Sequence, residues 1–254
     1  MNRHGRWRRL LRGVAWVGAP LAALVALTPL DEAVVASVAG RSIGVELEIG
    51  KIEWPLFGTF ELREFEARLP TASVPFLTVA SVRGEVGLFP PRVVAAQLER
   101  ARLVATEGAD GRFDLEDLDE LGDEPAEKEG GEFPVLAVRD SSIELDGNGP
   151  FQQRLRGAIA PGVPAKLTIA ALSLAPQAGG GAAIGGQLVL LDLLPVELEA
   201  ALERGALTRA EARVDPRAPL DVAALRSRLA EPVADWFARN AVSGRASGAV
   251  QVAM

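Results

Sequence analysis

The sequence contains no cysteine and no tyrosine, and its single histidine is His4. Without cysteine, the chain has no disulfide bonds, thiolate metal ligands or thiol nucleophiles. One histidine near the N-terminus likewise excludes histidine-based catalytic triads and histidine metal sites. The nucleophiles that remain are serine, threonine, lysine and carboxylates, and none of them stands in a recognisable motif. We therefore predict that the protein is not an enzyme and has no catalytic residues, no cofactor and no metal site.

Positive charge is scarce outside the first twelve residues. Five of the 27 basic residues are arginines within residues 1–12, which leaves 22 against 34 acidic residues and a net charge near −12 for the rest of the chain. Such a body is poorly suited to the phosphate backbone of nucleic acids. We therefore expect no nucleic-acid partner.

One long apolar run follows these arginines. Residues 13–30 contain no charged side chain, and a helix of this length reaches about 27 Å, close to the thickness of the bilayer's hydrocarbon core. Because basic residues mark the cytoplasmic flank, the pattern predicts a cytoplasmic segment at 1–12, one transmembrane anchor at 13–30 and an exported body. A cleaved signal peptide is the alternative, although its apolar core is usually shorter.

Alternation of apolar and polar residues begins after the predicted anchor. Residues 42–49 alternate strictly, which is typical of a strand with one apolar face. Further strands are expected at 59–69, 76–88, 96–105, 133–139, 141–146, 166–175, 183–193 and 206–214, and a last one near the end of the chain. Residues 220–240 have helical spacing, interrupted at Pro232. The sequence therefore predicts a mainly β, mostly antiparallel fold with a few short helices.

The alternation changes phase at two places. Phe60 and Leu62 are even-numbered, whereas Phe65, Ala67 and Leu69 are odd-numbered, which predicts a β-bulge near Glu64. A second change lies between residues 169 and 172. Residues 122–132 are acidic and rich in glycine, with almost no apolar side chain, and are expected to form a flexible connector.

Three groups of residues suggest a functional site, but none of them has the residues or the spacing that the site would need. The Asp110-Gly111 turn has Thr106 and Gly108 where a calcium loop needs oxygen ligands. The glycine-rich residues 179–186 lack both phosphate-binding patterns. A group of acidic residues has no partner motif and is interpreted as a solvated face: Glu197, Glu199, Glu203 and Glu211.

Several short motifs follow the anchor in a fixed order. They are the Gly40-x-x-Ile43 entry into the first strand, the Ile49-Gly50-x-Ile52 step, the Leu56-Phe57-Gly58 turn, and Asp110-Gly111 before Asp114-Leu115-Glu116-Asp117-Leu118. Together they resemble the N-terminal part of the AsmA-like family of bacterial envelope proteins, over about residues 10–121. Asp114 departs from the asparagine that the family often has there. None of these residues is catalytic in the family.

This resemblance implies a single-pass protein of the bacterial inner membrane with its body in the periplasm. It implies an AsmA-like β region at 31–121, a second β-rich region at 133–254, and an elongated, twisted antiparallel sheet that curls into a trough with an apolar inner face. The implied function is phospholipid transport or outer-membrane biogenesis and maintenance. The residues predicted to face lipid acyl chains are Ile43, Val45, Leu47, Ile49, Phe60, Leu62, Val82 and Val86.

Two alternatives remain open at the level of sequence. The eight apolar residues can pack a closed core instead of contacting lipid. The body can also be a periplasmic scaffold whose sheet edge pairs with a strand of another envelope protein. About a dozen strands at ~4.8 Å spacing would span only ~60 Å, which is short for a bridge between two membranes.

Overall fold

The structure is a computed structural model, and it describes residues 32, 36–37, 40, 44–54, 58–70, 72–88, 91–116, 134–177, 181–203, 206–214, 220–246 and 249–253. The predicted anchor at 13–30, the predicted connector at 122–132 and Ile43 lie outside these residues. Within the described ranges, no helix is both long enough and apolar enough to cross a membrane.

The described residues are mainly strand. The strands are β1 (Glu46–Glu53), β2 (Thr59–Arg68), β3 (Leu77–Leu88), β4 (Pro91–Glu107), β5 (Val135–Gly147), β6 (Lys166–Gln177), β7 (Gly181–Leu190), β8 (Leu194–Glu203), β9 (Ala206–Val214), β10 (Leu220–Asp221), β11 (Arg245–Ala246) and β12 (Ala249–Ala253). The helices are α1 (Pro150–Ala158), α2 (Val222–Arg226) and α3 (Glu231–Arg239), with a 3-10 turn at Asp114–Glu116. The prediction of a mainly β fold with few short helices is confirmed.

Ten strands form one open sheet in the order β1-β2-β3-β4-β5-β6-β7-β8-β9-β12, and β10 pairs with β11 separately. Neighbouring strands are antiparallel except for β4 and β5, which are parallel. The antiparallel prediction is wrong at this one pair, because the long connection after β4 returns the chain to the end of the sheet where β4 began. The two regions on either side of the predicted connector therefore share one sheet.

Six neighbouring strands are irregular at the same level of the sheet. In each of these strands the pairing with the neighbouring strand passes over one residue. These residues follow one another across β1 to β6 and are Gly50, Glu64, Ala80, Arg100, Asp140 and Ala170. We call these positions the kink row. Three of them are non-glycine residues with left-handed backbone angles: φ is 55° at Glu64, 52° at Arg100 and 49° at Asp140. The predicted change of phase near Glu64 is present, but Gly50 and Ala80 are skipped opposite Glu64, so it is not the β-bulge that was predicted. The predicted change between residues 169 and 172 is confirmed by a register shift at Ala170.

At the kink row, the alternation of side chains between the two sides of the sheet is offset by one residue in each strand. Residues spaced by three across a kink, such as Leu62 and Phe65 in β2, consequently face the same side of the sheet. At β5 the row explains why sequence patterning predicts two strands, at 133–139 and 141–146, where there is one. Ser141, which is only 3% exposed, supports this kink because its Oγ accepts the Ala101 N–H at 2.8 Å.

The described helices gather at the end of the sheet where β5 finishes and β6 starts. Helix α1 connects these two strands, and residues 158–160 just after it pair with residues 228–230 between α2 and α3. Pro232 lies in the first turn of α3, where it does not break a helical hydrogen bond. The predicted helix at 220–240 is therefore two short helices.

The left-handed backbone at Asp140 can be tested by glycine substitution. We expect Asp140→Gly to raise the free energy of unfolding by up to about 1 kcal/mol, because glycine adopts positive φ without a Cβ clash. The matched control is Ser142→Gly in the same strand, which should lower stability by about 0.5–1 kcal/mol. Urea unfolding of the full chain in detergent measures both. Destabilisation by both glycines would contradict the left-handed assignment.

Candidate functional site: the apolar face of the sheet

One row of directly opposite residues crosses the whole sheet and is apolar at every strand. Directly opposite residues share a face, so this row defines one side of the sheet, which we call the apolar face. The row consists of Ile52, Leu62, Val82, Leu98, Val138, Leu172, Gly186, Leu198, Ala212 and Val250.

The neighbouring row lies on the other side and is largely polar. It consists of Lys51, Arg63, Ser81, Glu99, Arg139, Ala171, Gln187, Glu197, Arg213 and Ala249. Ion pairs join strands on this charged face, for example Arg102 to Glu144 at 2.6 Å between β4 and β5. The sheet thus separates an apolar side from a charged side along its whole width.

The apolar face is well buried at the β1 to β3 end. Ala36, Ile49, Phe60, Leu62 and Val86 form a cluster there, each no more than 7% exposed. Ala36, which precedes β1 and has helical conformation, is the member of this cluster from outside the sheet. The Phe60 ring packs directly over the backbone of its partner Gly84, where a Cβ atom would overlap it.

The middle of the apolar face holds both buried and half-buried residues; Ala101, Ile169 and Val196 are each no more than 8% exposed. Leu98, Val138, Leu172 and Leu198 are each only half-buried. A second buried cluster, of Leu174, Ala182 and Leu202, is formed entirely by neighbouring strands. Among the described residues, no helix apart from the segment containing Ala36 contributes to either cluster. Protein neighbours therefore cover the face unevenly.

The structure brings the sequence-predicted lipid-facing residues together, with Ile43 outside the described residues. Six belong to or pack against the cluster at β1 to β3, namely Leu47, Ile49, Phe60, Leu62, Val82 and Val86, and Val45 is 6% exposed. Their contact with lipid stays a prediction, because protein neighbours already bury five of them. The half-buried residues of β4 to β8 were missed, although alternation in those strands carried the signal.

The acidic residues considered in the sequence lie on the charged face. Glu197 and Glu211 belong to β8 and β9, and the side chain of Glu211 is about 10% exposed. Arg213 Nε and Arg209 Nη2 donate to its carboxylate at 2.7 and 2.9 Å. These bonds, the Arg213 bond first, hold the pKa of Glu211 below its ordinary value. In the described ranges, no three histidine or acidic side chains are grouped to hold a metal ion.

The chain matches no protein-family model, no curated protein and no solved structure. Its function therefore has to be inferred from its own residues.

Because the apolar face is unevenly buried, truncating its side chains to alanine should lower the free energy of unfolding by different amounts at different positions. Phe60→Ala should lower the free energy of unfolding by about 3–4 kcal/mol, because it opens a cavity in a buried cluster. Leu188→Ala, at a half-buried position of β7 on the same face, should cost only about 1 kcal/mol. Chemical unfolding of the two variants provides the comparison, and equal losses would mean that the middle of the face is as closely packed as its end.

The ion pairs of Glu211 predict an acid-dependent loss of stability. Because its pKa is lower in the folded chain than in the unfolded chain, Glu211 contributes stability above its unfolded pKa, and this is lost as pH falls through the folded value. The free energy of unfolding, measured at a series of pH values from 6 downward, should therefore fall less steeply for Glu211→Gln than for the unaltered chain. Arg213→Gln should move the loss to higher pH. An unchanged pH profile in both variants would exclude this contribution.

Proposed function

We propose that the chain is a membrane-anchored, periplasmic protein of AsmA-like type whose apolar sheet face receives phospholipid acyl chains. In this proposal it serves phospholipid transport or outer-membrane biogenesis and maintenance, without enzymatic activity. The observation that carries the proposal is the row of apolar residues that crosses all ten strands of an open sheet. The resemblance of residues 10–121 to the family adds to it.

The half-buried residues in the middle of the face support acyl-chain binding. An apolar surface that extends over several strands is costly to leave in water, so such a surface normally marks a binding site or an interface. Acyl chains fit this face because they require no hydrogen bonds and follow an apolar row without fixed spacing. The charged face on the other side of the sheet keeps the same strands solvated.

The segment after the predicted anchor supports a defined orientation. Glu32 Oε1 accepts the Ile52 N–H of β1 at 3.3 Å, and Ala36 packs on the apolar face beside it. If residues 13–30 span the inner membrane, β1 is then the strand nearest to that membrane and β12 the farthest. Ten strands at ~4.8 Å spacing extend about 45 Å. A chain of this width would pass lipid to a partner rather than cross the periplasm alone.

The alternative function is a periplasmic scaffold. Strand β12 forms one edge of the sheet, and an edge strand can pair with a strand of another envelope protein. In that case the apolar face is filled by protein.

Photo-crosslinking can distinguish the two functions at neighbouring residues. A photoreactive side chain at Leu188, on the apolar face, should form adducts with phospholipid in membranes, whereas the same group at Gln187, on the charged face, should not. Leu47 and Val82, which are also half-buried, test the β1 to β3 end of the face, where their packing against the buried cluster should make labelling weaker. Mass spectrometry of the purified full chain identifies the adducts.

A charge on the face provides the matched functional test. Leu172→Asp should reduce the lipid that copurifies with the chain, whereas Ser173→Asp, one residue away on the other face, should leave it unchanged. Adducts with protein only at Leu188, together with no copurifying lipid above background, would favour the scaffold and overturn the lipid proposal.

A further inference from the structure

A cavity of about 520 Å³ lies beneath α1 on the charged side of the sheet. Its lining includes Arg102 of β4, Glu144 and Asp146 of β5, and the turn at 159–165, which we call the roof. The roof is held by backbone hydrogen bonds, among them Val163 N–H to Ala160 O at 3.1 Å and Leu145 N–H to Ala165 O at 3.0 Å. A cavity of this volume is in the range that binds small ligands.

Gln152 of α1 lines this cavity and has an unusual environment. The residue is 1% exposed, yet neither Nε2 nor Oε1 has a hydrogen-bond partner among the described residues. Buried amide groups are normally paired, because leaving a donor and an acceptor unpaired is costly. The orphaned amide therefore requires a partner that the described protein does not supply.

The backbone of Gln152 is firmly positioned. The buried carboxylate of Glu107 accepts the N–H groups of Phe151 and Gln152 at 3.0 and 2.7 Å, at the start of α1. Gly149 permits this approach, since a Cβ there would overlap the Glu107 side chain. The backbone of Gln152 is thus fixed beside the cavity by an N-terminal cap of the helix.

The charges around the cavity are balanced. Arg102 pairs with Glu144 at 2.6 Å, and Arg156, one helical turn after Gln152, pairs with Asp146 at 3.4 Å. Both arginine side chains are more than half exposed, so they can also contact a ligand. Two cations and two anions favour a ligand that carries one charge of each sign over a polyanion or a polycation.

We propose that this cavity binds a short zwitterionic peptide of about three residues. The Gln152 carboxamide donates from Nε2 to a peptide carbonyl and accepts a peptide N–H at Oε1. Arg156 or Arg102 binds the terminal carboxylate, and Asp146 or Glu144 binds the terminal ammonium group. Because the amide is closed to bulk water, binding has to shift the roof at 159–165. This site does not depend on the proposed lipid function, since it lies on the opposite side of the sheet.

Calorimetry and hydrogen exchange on the full chain in detergent test the proposal, with trialanine as the probe. We expect saturable binding and altered exchange of the roof amides. Trialanine with both ends blocked should bind roughly tenfold more weakly, because it loses its charged ends.

Gln152→Leu separates a binding role from a structural one. This variant removes the unpaired amide at similar volume, so it should fold at least as stably as the unaltered chain while trialanine binds at least roughly tenfold more weakly. The matched control is Gln153→Leu at the next, exposed residue, which should bind as the unaltered chain does. Absence of trialanine binding at millimolar concentration, equal binding by Gln152→Leu, or an ordered water as the only partner of Gln152 would each overturn the proposal.

Discussion

A strand presents successive side chains to opposite sides, so a sheet keeps one apolar side only if all its strands change phase together. In β1 to β6 that condition is met by the kink row, and the register shift at Ala170 joins these strands to β7 and the strands after it, which are not kinked at this level. Glu64, Arg100 and Asp140 adopt left-handed backbone angles at matching levels of their strands. The apolar row from β1 to β12 and the charged row beside it both depend on this alignment, as does every conclusion about the apolar face.

Much of the fold could be predicted from sequence where the pattern is local. Strand β9 has the predicted bounds, and the change of parity between Leu62 and Phe65 correctly located the kink in β2. The parallel pairing of β4 and β5 could not be predicted, because the direction of β5 depends on a connection without any periodic signal. Strand β8 was missed because Glu197 and Glu199 were interpreted only as solvated acids, although they alternate with Val196 and Leu198. Helix α1 was missed because it has few apolar residues and no buried apolar side chain: its one buried residue is Gln152, and Phe151 is 49% exposed.

The apolar face also shows what can and cannot be predicted from local sequence patterns. Alternation identifies which residues share a face, and it correctly grouped Ile49, Phe60 and Leu62. It does not report what lies over that face. Ala36, which precedes β1, packs in the cluster at β1 to β3, whereas Leu172 and Leu198 in the middle are half-buried beside buried residues such as Ile169 and Val196. Coverage is a tertiary property, so the half-buried positions of β4 to β8 were absent from the sequence prediction.

The kink row also restricts how the strands can pair. In a regular amphipathic strand, a shift of two residues restores the same alternation, so several pairings have similar energy. Here such a shift would place Arg100 or Asp140 against a regular residue of the neighbouring strand and would disrupt the ladder. Strands β1 to β6 therefore have one strongly preferred alignment. This would disfavour slipped pairing of these strands during folding, when the broad apolar surface of the chain is still uncovered.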